Sequence, residues 1–184
     1  MQTFADGTPQ SLLPARVEVM SPNLDWPAIW ILSRTKGLSS EQSSFIFKLL
    51  HHLLPTQDRI NRITNDPGMC KLCQAATEDI HHALFSCPSN QNAAALLLSF
   101  VQVVVPDITS QAMLRLDFRQ ELNDIDSLAI VSILSTGLRH IWQARIEKKV
   151  VHQYKMRADI EAHISILRKT RYCGTADRML EIII

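Results

Sequence analysis

The stretch from Cys70 to Cys87, "CKLCQAATEDIHHALFSC", gathers three of the chain's four cysteines and the adjacent His81 and His82 within eighteen residues. It restricts the fold more than any other segment, because a metal ion shared by these side chains would fix a turn and a helix start that have too few apolar residues to fix themselves. Cys70 and Cys73 have the C-x2-C spacing that lets two thiolates of one tight turn reach the same cation. "NDPG", residues 65–68, is a strong turn signal and delivers the chain directly into Cys70. A histidine and Cys87 would supply the second half. If "EDIHHALFSC" is helical, His82 and Cys87 stand a turn and a half apart, which requires the helix to end or tighten near Phe85. The spacing favours His82 and leaves His81 open. Rival readings are a redox C-x-x-C or a Cys70–Cys87 disulfide formed on oxidation. Cys173, in a polar tail, reads as a free thiol, and His51 and His52 as partly exposed structural residues.

A chain of 184 residues suits one sizeable core. Its 46% hydrophobic and 20% charged residues, with five glycines, exclude a disordered or collagen-like polymer. The first twenty residues include Asp6, Pro9, Pro14, Arg16 and Glu18 and no apolar run, which is not the pattern of a secretory signal. "AAALLLSFVQVVV", Ala93 to Val105, is thirteen residues broken by Ser99 and Gln102, too short to span a bilayer, and reads as a buried core helix. The expectation is an intracellular chain among reducing thiols, where clustered cysteines bind metal more often than they pair.

Helix signals fill most of the remainder. "LDWPAIWILSRT" reads as a short helix capped by Asp25, with Pro27 tolerated in its first turn. Ser39 and Gln42 form a capping box before an apolar period at Phe45, Leu49, Leu50 and Leu53. Pro55 disfavours helix at Leu54, and Thr56 is placed to cap a second helix with Ile60 and Ile63 on one side and Arg59 and Arg62 near the other. Pro88 leads into the Ala93–Val105 helix, Pro106 stops it, and Thr109 caps a short helix in "DITSQAMLRL". From Asp126, apolar residues at Leu128, Val131, Leu134, Leu138, Ile141 and Trp142 recur at steps of three and four, predicting a long amphipathic helix. A further period at Met156, Ile160, Ile164 and Leu167 predicts that helix persists or restarts. No strand of comparable clarity and no internal repeat is present.

The net charge of +1 conceals segments of opposite sign. From Arg139 to Arg171 nine Lys or Arg face three acids, a local balance of +6, so the remainder carries −5. Within that segment Arg145, Lys148, Lys149, His152 and Lys155 recur at three- and four-residue steps. A continuous helix would present them as one stripe for phosphates. Trp142 and Tyr154 could stack on unpaired bases. The plainer reading puts Trp142 in the core and the charges on a solvated face.

"CKLCQAATEDIHHALFSCP" resembles the zinc-binding module at the carboxyl end of reverse transcriptases of non-LTR (LINE-type) retrotransposons. There, two cysteines precede an acidic residue, a His-apolar-apolar-Phe run and a final Cys-Pro. The likeness is carried by C-x2-C-x8-H-x4-C, with Glu78 and "HALFSCP" in register. Upstream, "FIFKLLHHLLPTQDRI" is similar to the segment that precedes such modules, and downstream "LRHIWQARIEKK" is similar to the Trp-plus-basic helix that often follows, so residues 24–170 are covered. The resemblance implies Cys70, Cys73, His82 and Cys87 as ligands of one structural Zn2+. It also implies that the module helps grip template RNA or target DNA. The chain has no Tyr-x-Asp-Asp polymerase motif and no recognisable endonuclease segment, although the parent polyprotein of the family is an RNA-directed DNA polymerase.

These readings converge on a mainly α fold, a small helical domain around a CCHC zinc knuckle with a long C-terminal amphipathic helix. The expected division is a flexible leader (1–23), N-terminal helices (24–66), the knuckle (67–88), C-terminal helices with the basic helix (89–171) and a tail (172–184). Zinc with four protein ligands has no open position to activate water, and no Gly-rich phosphate loop or nucleophile elbow is present, so no catalysis is expected. The expected function is non-catalytic nucleic-acid binding by Trp142, Arg145, Lys148, Lys149, His152 and Lys155. The competing one is a zinc-stabilised helical module that docks on protein. Expected partners are RNA or DNA, or the reverse transcriptase domain of a parent polyprotein, with no membrane and no small-molecule substrate. The resemblance favours the nucleus over the cytoplasm.

Overall fold

The computed structural model describes residues 24–34, 37–65, 67–118 and 124–169. The expected leader 1–23, the tail 172–184 and Cys173 lie outside them.

Local capping sets the first two helix starts. Helix α1 is Trp26–Ser33, and Asp25 Oδ1 accepts from the N–H of Ala28 at 3.1 Å. Helix α2 is Ser40–Leu50, begun by the full capping box: Ser39 Oγ accepts from Gln42 N at 3.2 Å and Gln42 Oε1 from Ser39 N at 2.8 Å. Helix α3, Gln57–Thr64, departs from expectation, because the Thr56 side chain makes no cap bond. Its orphan N–H groups turn to a distant residue instead: Gln57 N donates to Glu78 Oε1 and Asp58 N to the Glu78 carbonyl, each at 3.0 Å. The expected apolar side of α3 is only weakly used, since Ile63 is 82% exposed.

A π-helical turn at His82–Ser86 and a 3-10 turn at Pro88–Asn90 lead into helix α4, Gln91–Gln102. It ends short of the expected Val105, before the stop at Pro106. Helix α5, Ser110–Arg115, is capped by Thr109 Oγ1, which accepts from Ala112 N at 3.2 Å. Helices α6, Asp124–Ile146, and α7, Gln153–Lys169, complete the described elements. No strand occurs among the described residues; a single antiparallel bridge joins Met69 and Thr77.

Helix α6 is the axle. It packs against α1, α2, α4, α7 and the π turn, so every residue from 127 to 138 is buried. The middle of this helix is therefore enclosed on every side, with Ser132, Ser135 and Thr136 among its buried residues, while Gln143 and Ile146 near its end are exposed, so a one-sided apolar face describes only its last turns. Each Leu or Ile it buries contributes roughly 1.5–3 kcal/mol. Gly137 permits the closest approach, since a Cβ there would lie 2.5 Å from Leu97 Cδ1 of α4. Gln42 fastens α2 to the axle by donating through Nε2 to the Ser132 carbonyl at 3.2 Å and Thr136 Oγ1 at 3.1 Å.

The expected unbroken basic helix is also corrected. Helix α6 stops at Ile146, Lys148 takes a left-handed backbone (φ +54), and Lys149 N donates back to the Ala144 carbonyl at 2.9 Å. That is the reverse turn of a helix C-terminus. Helix α7 then folds back on α6, burying Met156, Ile160, Ile164 and Leu167 as their period predicts.

Candidate metal centre

Four potential ligand atoms converge between the 70–73 turn and the π turn: those of Cys70, Cys73, His82 and Cys87 all lie within 4.8 Å of one another. Cys70 Sγ and Cys87 Sγ are 3.8 Å apart, and Cys73 Sγ is 3.3 Å from His82 Nε2. A tetrahedral zinc with Zn–S bonds of about 2.3 Å sets its sulfurs about 3.8 Å from each other, so the donor set fits that ion. The thiols are free, and 3.8 Å is far beyond a disulfide bond.

The first pair is placed by backbone bonds. Cys70 N donates to the Ala76 carbonyl at 2.8 Å, Gln74 N to the Cys70 carbonyl at 2.9 Å, and Gln74 adopts a left-handed φ of 54 that closes the turn. Gly68, at φ +69, starts the reversal, and its carbonyl accepts from Glu78 N at 2.9 Å. The second pair depends on the π turn. In an α-helix, positions five apart leave about 140° between side chains. Here the helix widens instead of tightening: Cys87 N donates to the His82 carbonyl at 2.9 Å, an i→i+5 bond that brings the two residues onto one side. Asp79 Oδ1 starts this short helix by accepting from His82 N at 2.6 Å. The structure thereby separates the two histidines, since His81 Nε2 points to Ser110 Oγ of α5, 2.9 Å away.

Burial drives the Cys70 thiol up to about 12, with the neighbouring Cys87 adding to the rise. At Cys73 burial also pushes upward, but the N–H of Ala75 and hydrogen bonds from Cys70 and Cys87 outweigh it and hold the thiol below its ordinary value. A buried thiol so reluctant to ionise in water becomes a thiolate when a cation sits against it. The Cys3His cluster can hold one zinc ion.

Glu78, fully buried, has a role that the sequence marked only by its place in the motif and not by any partner. Its Oε1 accepts from Gln57 N and from the guanidinium of Arg145, so one carboxylate ties the knuckle to the start of α3 and the end of α6. The signal lay in the α6 period: Arg145 follows Ile141 by four and Leu138 by seven, on the buried face.

The residues expected to contact nucleic acid are not brought together as one stripe. Trp142 is buried and Arg145 lies over its ring at 4.7 Å while paired to Glu78, so both belong to the interior. Lys148 and Lys149 are in the exposed turn after α6, His152 precedes α7, and Lys155 lies in its first turn. Lys149 Nζ pairs with Glu147 at 3.1 Å. Tyr154, 87% exposed, stands among them.

No helix among the described residues is long and apolar enough to cross a membrane. No curated protein and no solved structure matches the chain. Residues 16–93 match the family model described as zinc-binding in reverse transcriptase, a stretch shorter than half the chain that contains all four clustered side chains. That match coincides with the resemblance carried by "CKLCQAATEDIHHALFSCP": this part of the chain is similar to the zinc-binding module of reverse transcriptases.

Proposed function

We propose that the chain is a non-catalytic module of a non-LTR (LINE-type) reverse transcriptase polyprotein that binds template RNA or target DNA. In this reading Cys70, Cys73, His82 and Cys87 are the four ligands of one zinc ion. Four protein ligands leave no position for water, so the metal fixes shape and performs no chemistry. Its binding energy is folding energy for the 71–77 turn, in which no residue is buried.

The observation that carries the reading is the turn between α6 and α7. Lys148, Lys149 and Lys155 are exposed there around Tyr154, an arrangement suited to phosphates flanking a stacked base. Arg145 and Trp142 support it indirectly, by fixing the end of α6 from which the turn departs. Affinity for single-stranded RNA or DNA should fall steeply with salt. Replacing Lys148, Lys149 and Lys155 together by Ala should lower the magnitude of that slope by about 2, near 0.7 per lost phosphate contact. A triple variant that binds unchanged would remove the turn from the contact.

A second reading rests on Ile146, 51% exposed, and Val150, 63% exposed, at the same turn. These favour docking on protein, such as a polymerase domain of the same polyprotein. Substituting both by Ser should then abolish association with that domain and leave the salt slope on oligonucleotides intact.

A further inference from the structure

Between α2, α6 and α7 lies a groove of about 420 Å³, separate from the clustered cysteines. Helix α6 lines it with Arg139 and His140, α7 with Lys155, Asp159 and His163, and α2 with Gln42. Lys155, Asp159 and His163 follow one another at steps of four, so one face of α7 delivers all three. This converges four potentially cationic side chains on a pocket whose one lining carboxylate is already engaged, since Asp159 Oδ2 lies 2.7 Å from His140 Nε2.

The remaining cations are held loosely. Arg139 meets Glu41 of α2 at 2.5 Å, but the Glu41 side chain is 70% exposed. A pair so exposed is weakly held, so the guanidinium is free to turn toward a better anion. Lys155 meets no described carboxylate within ion-pair distance, its charge acting at longer range on the exposed Glu147.

We propose that this groove binds a phosphate group, held by the Arg139 guanidinium, the Lys155 ammonium and a protonated His163. The planar fork of Arg139 matches two phosphate oxygens, and Lys155 adds a point charge. In the free protein, burial lowers the pKa of His163, with Asp159 opposing and Arg139 adding to the fall. Lys155 and His140 line the same groove and Glu41 holds Arg139 from α2. An anion seated between Arg139 and His163 reverses their mutual repulsion, so phosphate binding carries a proton onto the imidazole. The inference goes beyond the nucleic-acid reading and does not need it. The phosphate is either a backbone group of a strand lying on the neighbouring turn, which shares Lys155, or a free phosphate or monoester.

The test uses the full zinc-loaded chain and inorganic phosphate alone, following the ring protons of His140 and His163 by NMR across pH. Saturable shifts and a rise in the His163 pKa are expected. Arg139→Gln and His163→Gln, both at partly exposed positions, should keep one zinc per chain and weaken phosphate affinity at least about tenfold. Unmoved histidine signals, an equal response to chloride, or an Arg139→Gln variant that binds phosphate normally would each overturn the proposal. A short oligonucleotide that elicits the same His163 shift and competes with phosphate identifies a strand as the source; a response to inorganic phosphate alone identifies a small anion, and both support the groove. Replacing Lys148 and Lys149 by Ala separates the two proposals. Lost oligonucleotide affinity with phosphate binding retained supports both, whereas phosphate binding in a chain that binds no oligonucleotide sinks only the nucleic-acid reading.

Discussion

Helix α6 and the knuckle at its side are held by opposite means. Along α6 twelve successive residues are buried, and apolar burial, with the Gln42 hydrogen bonds to Ser132 and Thr136, accounts for its place. In the knuckle none of residues 71–77 is buried, and the turn is defined by backbone bonds, two left-handed residues and four convergent ligand atoms. The contrast teaches that one region is held by its packed neighbours, whereas the other sets a turn with no buried residue beside a ligand set that can hold an ion. Glu78 and Arg145 are where they meet.

The hardest way to break this contrast is to take the metal away. Chelation, or Cys73→Ser, should release the zinc and with it a substantial part of the folding energy; structural zinc contributes about 10–16 kcal/mol in isolated zinc fingers. Amide exchange should accelerate first across residues 69–87 while α6 stays protected, and an unchanged melt in the metal-free chain would end the distinction. Next in size is Glu78→Gln, which strands the buried Arg145 charge at a cost of about 3–5 kcal/mol. Urea unfolding measures it, and adding Arg145→Met should recover part of the loss. Leu134→Ala, in the fully buried middle of α6, should cost about 3 kcal/mol with zinc stoichiometry unchanged. A drop in zinc content there would mean the two regions fold as one.

The smallest effect is one of pH. The pKa of His163 is lowered in the folded state, first by burial, so its neutral form is favoured there. The stability this gives is present above its ordinary value of 6.5 and lost as pH falls through the folded value. His163→Gln should flatten that part of the acid limb in a pH series of melts.

Much of this architecture could be read in advance because it is local. Asp25, Ser39 with Gln42, and Thr109 cap helices within three residues of themselves, and each makes the bond its position predicts. The Met156, Ile160, Ile164 and Leu167 period marks a buried face that α7 presents to its neighbours. The convergence of Cys70, Cys73, His82 and Cys87 follows from spacing together with family likeness. What escaped was non-local or unmarked. The start of α3 is capped by Glu78, twenty-one positions away, and no rule about Thr56 could anticipate it. The break after Ile146 carries neither Gly nor Pro, and Lys148 accepts the left-handed conformation that Gly commonly takes, so the basic residues read as one stripe when they are not. The enclosure of α6 is a property of its neighbours, which its own period does not record.

The wide turn at His82–Ser86 makes the module intolerant of length changes. One residue removed from or added to "ALFS" would swing the last sulfur through about 100° around the helix axis. The ion would then lose a quarter of its coordination, although the composition of the segment had scarcely altered. Substitutions there that preserve the count, by contrast, leave the clasp in register.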